Sequence, residues 1–123
     1  MVNANELRIG NWLEFHLYGE KWVQQIDQFD FEFISEGVLR CANPIQLSKD
    51  WLIKFGFFKI ADLNNSYVFP NEEFGYTIIG NDKGGWFMMF FNTIKIEYVH
   101  QIQNIYFAIT GQELTLNQLN NDN

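Results

Sequence analysis

The sequence predicts an α+β fold in which antiparallel strands make up most of the chain and a few helices connect and cover them. Three observations indicate it. Short runs of aromatic and β-branched residues are separated by turn residues, as in antiparallel sheets. Residues 98–110 repeat apolar side chains at helical spacing. The stretch after Asn43 and Pro44 has the capping residues of a second, shorter helix.

The first part of the chain predicts a small N-terminal antiparallel sheet of SH3-like type. Residues 8–17 and 21–27 have the aromatic and β-branched content of strands, and residues 18–20 supply the turn between them. Residues 38–41 predict a short returning strand. Several short strands with tight turns in one stretch are typical of a small curled sheet.

The segment 27–33 alternates strictly along the chain. One set of side chains is aromatic, and the acidic residues Asp30 and Glu32 lie between them. Period-two alternation is typical of a half-buried strand. The pattern therefore predicts a strand here, with its aromatic side chains in the core. These side chains are Phe29, Phe31 and Phe33.

The segment that follows Pro44 predicts a helix of about two turns. Ser48 is a favourable N-cap, Asp50 places negative charge in the first turn, and Gly56 can end the helix. Two turns are not stable alone in water, so this helix must be held by packing. Its apolar side consists of Trp51, Leu52 and Phe55.

Residues 57–97 predict an antiparallel meander. Turn residues occupy 64–65, 80–85 and 92–93. The run WFMMFF has six consecutive large apolar residues, a length that suits a central strand covered on both faces. The expected strands are 57–60, 67–69, 76–79, 86–91 and 94–97.

A C-terminal helix is predicted over residues 98–110, packed on the meander. Gly111 stands where a left-handed C-cap would end it. The apolar stripe consists of Val99, Ile102, Tyr106 and Ile109, with Ile105 beside it. The side opposite the stripe consists of His100, Gln101, Gln103 and Asn104.

A chain of 123 residues fits a single domain, 1–123. We expect residues 1–42 to form the SH3-like β subdomain and residues 43–116 the helix–meander–helix subdomain. The polar residues 117–123 are expected to fray.

The charge balance excludes two classes of partner. The formal net charge is −7, and the eight basic residues are scattered singly. Binding to nucleic acid without sequence preference requires a basic patch, and so does binding to an anionic membrane surface. We therefore expect no direct nucleic-acid partner and no membrane partner.

Cysteine and histidine usage argues against a metal, a disulfide and a catalytic set. Cys41 is the single cysteine, so no intramolecular disulfide can form, and His16 and His100 lack metal-binding spacing. Cys41 with His100 could in principle act as nucleophile and base, but the CANP context favours a buried structural cysteine. We expect no enzyme activity and no cofactor. The N-terminus lacks a secretory signal and no apolar run approaches about 20 residues, so a cytoplasmic location is expected.

Two surface features are candidates for binding. Glu97, His100, Gln101 and Asn104 could share one side of the C-terminal helix, as a recognition patch or as a hydrogen-bonded surface that fixes the helix to its neighbours. The second interpretation is favoured. Residues 1–36 hold seven acidic and two basic residues. A solvated acidic face is favoured there, and the alternative is a stripe that meets a basic partner. The candidate stripe consists of Asp27, Asp30, Glu32 and Glu36.

Of the aromatic side chains, most are expected in the core. Trp12, Trp22 and Trp51 are large enough that one of them can reach the surface as an interface anchor.

Three strings in the chain resemble a family of small uncharacterised proteins of Bacteroidota and their phages and prophages. They are NELRIGNWLEF, PIQLSKDWLIKFGF and IKIEYVHQIQNIYFAITGQELT, a little under half of the chain. In the third, Ile102, Ile105 and Ile109 stand where the family has Leu. The matching residues are Tyr98, Val99, His100, Gln101, Gln103, Asn104, Tyr106, Phe107, Ala108, Thr110, Gly111, Glu113 and Leu114. The resemblance implies a phage or mobile-element context in a host cell and carries over no catalytic residue.

Three functions from different classes follow from these observations. The first is a non-enzymatic interaction protein that acts by protein–protein contact, with a foreign protein or as a homodimer. The second is an acidic inhibitor that imitates nucleic acid and occupies the basic groove of a host enzyme. The third is a small-ligand module with a pocket between the two sheets, lined by aromatic residues and the His100 region.

Overall fold

A computed structural model describes residues 2–36, 41–60, 65–70, 77–80, 85–88 and 91–116. These residues contain helices and two antiparallel sheets, which confirms the α+β class. The residues 37–40, 61–64 and 117–123 lie outside the described part of the chain, so the predicted strand at 38–41, part of one hairpin turn and the frayed tail are not covered. Within the described residues, no helix is both long enough and apolar enough to cross a membrane.

The N-terminal sheet has three strands in the described residues. β1 (Trp12–Leu17) and β2 (Glu20–Gln25) form an antiparallel hairpin, and the short β3 (Ala42–Asn43) pairs with the other side of β1. Tyr18 and Gly19 connect β1 to β2, with φ angles of 52° and 81°. Positive φ at both central residues is the requirement of a type I′ turn, whose twist matches that of the strands.

The strand predicted over 27–33 is wrong: the chain forms α1 (Gln28–Ser35) instead. Asp27 caps the helix by accepting a hydrogen bond from the Asp30 amide at 2.8 Å, and the Asp30 carboxylate accepts from the Asp27 amide at 3.1 Å. This reciprocal capping box stabilises the first turn and outweighs the period-two pattern of the phenylalanines. The SH3-like form of the N-terminal sheet, which was predicted with this strand as a member, is not confirmed.

The core position predicted for the phenylalanines of α1 is wrong for two of the three. Ile34 is buried and Phe31 is partly buried against the N-terminal cluster. Phe29 and Phe33 are four residues apart, so they lie on the same side of a helix. That side faces solvent, and their exposed fractions are 68% and 46%.

The second helix, α2 (Lys49–Lys54), matches its prediction. The Ser48 hydroxyl accepts from the Trp51 amide at 3.4 Å, and Gly56 follows the helix with a φ of +88°. Leu52 is fully buried. Its burial provides the packing that a two-turn helix needs.

The C-terminal sheet is the predicted antiparallel meander. Each strand pairs with its sequence neighbours, in the order β4-β5-β6-β7-β8. Its strands are β4 (Phe58–Lys59), β5 (Ser66–Val68), β6 (Thr77–Gly80), β7 (Trp86–Met88) and β8 (Phe91–Ile96).

The apolar run at 86–91 is not one central strand. β7 ends at Met88 and β8 begins at Phe91, and these two residues pair with each other across the strands. The turn predicted at 92–93 consequently lies inside β8. Within β7 the side chains alternate between the two faces of the sheet: Trp86 and Met88 are buried, while Phe87 between them is partly exposed.

The last helix, α3 (Val99–Thr110), ends at Gly111, which has the left-handed conformation predicted for it, with a φ of 74°. Val99, Ile102 and Tyr106 are buried in the larger hydrophobic cluster, together with the inner face of the C-terminal sheet and α2. A separate, smaller cluster fills the space between the N-terminal sheet and α1. α3 therefore packs on the meander as expected.

Candidate functional site

The polar side of α3 is covered by the N-terminal segment of the chain. His100 and Gln103 have no exposed area. The sequence predicted these side chains on the side of the helix opposite the apolar stripe. That side is covered because the segment before β1 runs along it and hydrogen-bonds to it.

Gln103 joins α3 to the start of the N-terminal sheet. Its side-chain oxygen accepts a hydrogen bond from the Trp12 backbone amide at 2.8 Å. Its side-chain nitrogen donates to the Gly10 carbonyl at 3.1 Å. Buried amide side chains are retained where both ends are hydrogen-bonded, and Gln103 satisfies this condition with main-chain partners alone.

Asn104 makes three hydrogen bonds to the same segment. Its side-chain oxygen accepts from Arg8 Nε at 3.0 Å and from Asn11 Nδ2 at 2.9 Å. Its side-chain nitrogen donates to the Glu6 carbonyl at 3.0 Å. Both ends of the Asn104 side-chain amide are therefore hydrogen-bonded within the protein.

Arg8 connects this segment to the residues that follow α3. Its guanidinium forms an ion pair with Glu113 and lies over the Phe107 ring, 4.2 Å from the ring centroid. A guanidinium that is both paired and stacked is held in one orientation. We call the set that joins the N-terminal segment to α3 the junction network. Its members are Arg8, Asn11, Gln103, Asn104 and Glu113.

Gln101 and Glu97 lie at the start of α3. The Gln101 side-chain oxygen accepts from the backbone amides of Glu97 and Tyr98, at 2.7 and 3.0 Å, and so satisfies donors at the helix N-terminus. The Glu97 carboxylate raises the pKa of Tyr98, first by its charge and then by its hydrogen bond to the phenol. The predicted recognition patch thus contains one buried side chain, that of His100, and three that make contacts within the protein, those of Glu97, Gln101 and Asn104. A binding role for the patch stays a prediction.

His100 is the buried ionisable group of this region. Its ring stacks on Tyr98 with centroids 5.7 Å apart, and neither ring nitrogen has a hydrogen-bond partner among the residues that the structure describes. Nε2 lies 3.9 Å from the Glu6 carboxylate. Burial lowers the pKa of His100, and the charge of Glu6 opposes this with a smaller effect. Because the pKa lies below 6.5, the imidazole is neutral at pH 7 and its contact with Glu6 is not an ion pair.

We expect His100 to make the protein less stable in mild acid. Below about pH 6.5 the unfolded chain takes up a proton on this residue while the folded protein does not, so the free energy of unfolding falls until the pH reaches the folded pKa. Urea unfolding between about pH 7.5 and pH 5 measures this slope. In the variant His100→Leu the slope should be smaller than in the wild type. The control His16→Leu, which changes an exposed histidine, should keep it. An unchanged slope in His100→Leu would contradict the assignment.

The four carboxylates of the predicted acidic stripe all belong to α1 or its caps. At about 100° per residue, Glu32 and Glu36 lie on one side of the helix and Asp27 and Asp30 on another. Asp30 also accepts from Gln24 Nε2 at 3.3 Å. Within the described residues, none of the four pairs with Lys or Arg. The helix therefore separates them into two pairs, and a role in imitating nucleic acid stays a prediction.

A hollow of about 340 Å³ lies beside the junction of the two sheets. Trp12, Gln25, Thr115 and Leu116 line it. The Trp12 indole nitrogen is buried without a hydrogen-bond partner in the described part of the chain. His100, which the ligand hypothesis placed at such a pocket, does not line it. A ligand for this hollow stays a prediction.

The sequence predicts that one tryptophan can reach the surface, but it does not predict the exposure of the α1 phenylalanines. The Trp22 ring stacks on the buried Phe15 at 5.9 Å and is 40% exposed, so Trp22 is the tryptophan that reaches the surface. Trp22 and the two exposed phenylalanines of α1, Phe29 and Phe33, are here called the aromatic surface. The signal that could have revealed it is the capping pair Asp27 and Asp30, since a helix starting there places both phenylalanines on one side.

β2 and α1 are linked by side-chain hydrogen bonds. Trp22 Nε1 donates to Gln24 Oε1 at 2.8 Å, and Gln24 Nε2 donates to the Asp30 carboxylate. This chain of hydrogen bonds runs from the exposed tryptophan to the helix that carries the phenylalanines. The three aromatic side chains therefore stand on one connected framework.

Comparisons of the chain with family models, with curated proteins and with solved structures find no match. Across the residues that the structure describes, no group of three or more His, Cys, Asp or Glu side chains is placed to hold a metal ion. The aromatic surface is consequently the feature from which a function is best argued.

Proposed function

We propose that this is a non-enzymatic interaction protein of phage or prophage type, which acts in the cytoplasm of a bacterial host by protein–protein contact through the aromatic surface. The exposure of three large aromatic side chains on two linked elements carries the proposal. Tryptophan and other large aromatic residues contribute more binding energy at interfaces than other residue types. Scattered exposed apolar residues need no explanation, whereas contiguous apolar patches mark binding sites, and the proposal takes these three side chains as one such patch.

The rest of the chain shows that this exposure is not a general failure to bury aromatic residues. Phe57, Phe69 and Trp86 of the C-terminal half are all buried. α1 itself is well formed, with a complete capping box and two side chains packed on the sheet beneath it. Phe58 and Tyr18 are exposed as well, but Phe29 and Phe33 lie together on one side of a capped helix, which supports a contact role.

Pull-down experiments test the proposal. The tagged protein is used to capture partners from lysate of a Bacteroidota host, and bound proteins are identified by mass spectrometry. We expect a stoichiometric protein that is lost with the double variant Phe29→Ser/Phe33→Ser. The matched control is Phe58→Ser, which changes a comparably exposed phenylalanine on β4 and should retain the partner. Partners that survive the double variant as well as the control would contradict the aromatic surface as the binding site.

A further inference from the structure

The outer edge of β2 is available for pairing in the described part of the chain. The sheet order is β2-β1-β3, so β2 has a neighbouring strand on one side only. An edge strand presents unpaired backbone N–H and C=O groups and is a template for another chain. Proteins commonly prevent pairing with another chain at a sheet edge by a proline, a bulge or a very short strand. β2 is a regular six-residue strand without proline.

The register identifies the backbone groups that point outward. Gly10 donates to the Ile26 carbonyl and Ile26 donates to the Asn11 carbonyl, so the even-numbered positions of this strand face β1. Hydrogen bonding alternates along an antiparallel strand. The outward N–H and C=O groups are therefore those of Lys21, Val23 and Gln25.

The side chains along this edge differ between its two faces. Trp22 lies on the same face as its partner Phe15, toward α1 and the aromatic surface. Val23 is on the opposite face, beside its partner Glu14, and is 45% exposed. An added strand would therefore meet Trp22 on one face and Val23 on the other. Because neighbouring residues of a strand point to opposite faces, the added strand needs two apolar side chains an odd number of positions apart, one for each face.

The charge around the edge selects the kind of strand. Residues 1–36 carry seven acidic side chains and only Arg8 and Lys21 as basic ones. Arg8 is already paired with Glu113, outside this region. Near the edge, Glu14 lies on one face, and Asp30, which accepts a hydrogen bond from Gln24 of β2, lies on the other. A second copy of the chain, with its own net charge of −7, is repelled by this field, whereas Lys and Arg side chains are attracted.

We propose that β2 accepts an extended, basic segment of a partner protein as an added strand, hydrogen-bonded to Lys21, Val23 and Gln25. This inference rests on the proposed function and names the chemistry of its partner. The segment places one apolar residue on each face, in contact with Trp22 and with Val23, and carries Lys or Arg residues near the carboxylates of Glu14 and Asp30. Backbone hydrogen bonds supply affinity in this mode, and the side-chain pattern supplies specificity.

The test uses a library of random twelve-residue peptides displayed on phage, selected against the full chain. We expect enrichment of basic peptides whose apolar residues are adjacent or an odd number of positions apart. The variant Val23→Pro removes an outward N–H without touching the hydrogen bonds to β1, and should weaken a selected peptide about tenfold. The control Val23→Thr keeps the N–H and should bind normally.

Peptide chemistry provides a second measurement in case Val23→Pro does not fold. The best selected peptide is resynthesised with N-methyl groups at alternate residues, which removes its own edge donors. One of the two methylation registers should weaken binding about tenfold, while the other should leave it nearly unchanged.

Four results would overturn the inference. The first two are a selection that enriches no peptide and one that enriches acidic peptides. The third is binding of the selected peptide that neither Val23→Pro nor either methylation register weakens. The fourth is a dimer, seen by light scattering, that Val23→Pro abolishes. The fourth result would show that the edge of β2 pairs with a second copy of the chain instead of a partner protein. The proposed function is judged separately, since a host protein lost with Phe29→Ser/Phe33→Ser supports it even where β2 binds no peptide.

Discussion

The variant Gln103→Leu should lower the free energy of unfolding by about 2 kcal/mol. It leaves the Trp12 backbone amide without its acceptor at the junction between α3 and β1. The Gly10 carbonyl loses its hydrogen bond from Gln103 but keeps the one from Gln25 Nε2, at 2.9 Å. The cost therefore comes mainly from one unsatisfied N–H, because leucine fills a similar volume but offers no acceptor.

Urea unfolding monitored by circular dichroism measures this change. The matched control is Gln112→Leu, at an exposed glutamine just after α3, which should alter stability by less than about 0.5 kcal/mol. Equal stabilities for the two variants would show that the Gln103 hydrogen bonds contribute nothing net. That result would leave the junction network without an energetic role.

The parts of the fold that local signals determine could be predicted from the sequence. The apolar stripe of α3 and the glycine that ends it are both local, and the structure has the helix where they place it. The same holds for α2, whose Ser48 cap and Gly56 stop are separated by a few residues. The meander followed from the spacing of turn residues between short apolar runs. In each case one signal dominated.

The error at α1 arose where two local signals conflicted. The spacing of Phe29, Phe31 and Phe33 satisfies a strand, while Asp27 and Asp30 satisfy a helix cap. A strand would have buried all three phenylalanines on one face, and this burial favoured the strand prediction. The helix buries Ile34 and part of Phe31 and leaves the other two outside. The exposure of the two α1 phenylalanines can therefore be predicted only after this segment is recognised as a helix.

The burial of His100 and Gln103 depends on tertiary contacts that no local pattern contains. Their partners lie in the N-terminal segment, far away in sequence. Arg8 and Asn104 lie near opposite ends of the chain, and the structure brings them together in the junction network. Asn104, which the sequence offered as a candidate for binding, connects the two ends of the chain.

The variant Phe69→Ala should lower the free energy of unfolding by about 3–5 kcal/mol, the expected range for a buried phenylalanine. Phe69 has no exposed area, and its ring contacts those of Phe57 and Tyr106 at centroid distances of 5.3 and 5.6 Å. Removing it leaves a cavity between the C-terminal sheet and α3, which the rigid surroundings fill only in part.

Chemical denaturation of Phe69→Ala beside Phe58→Ala separates burial from residue type. Phe58 lies on β4 and is 54% exposed, so its loss should cost less than about 1 kcal/mol. Similar losses for the two variants would contradict the packing of α3 on the meander. A large loss for Phe69→Ala alone would show that the C-terminal cluster holds the helix in place. The aromatic surface then belongs to a part of the protein with its own smaller cluster, where substitutions such as Phe29→Ser can be read as effects on binding.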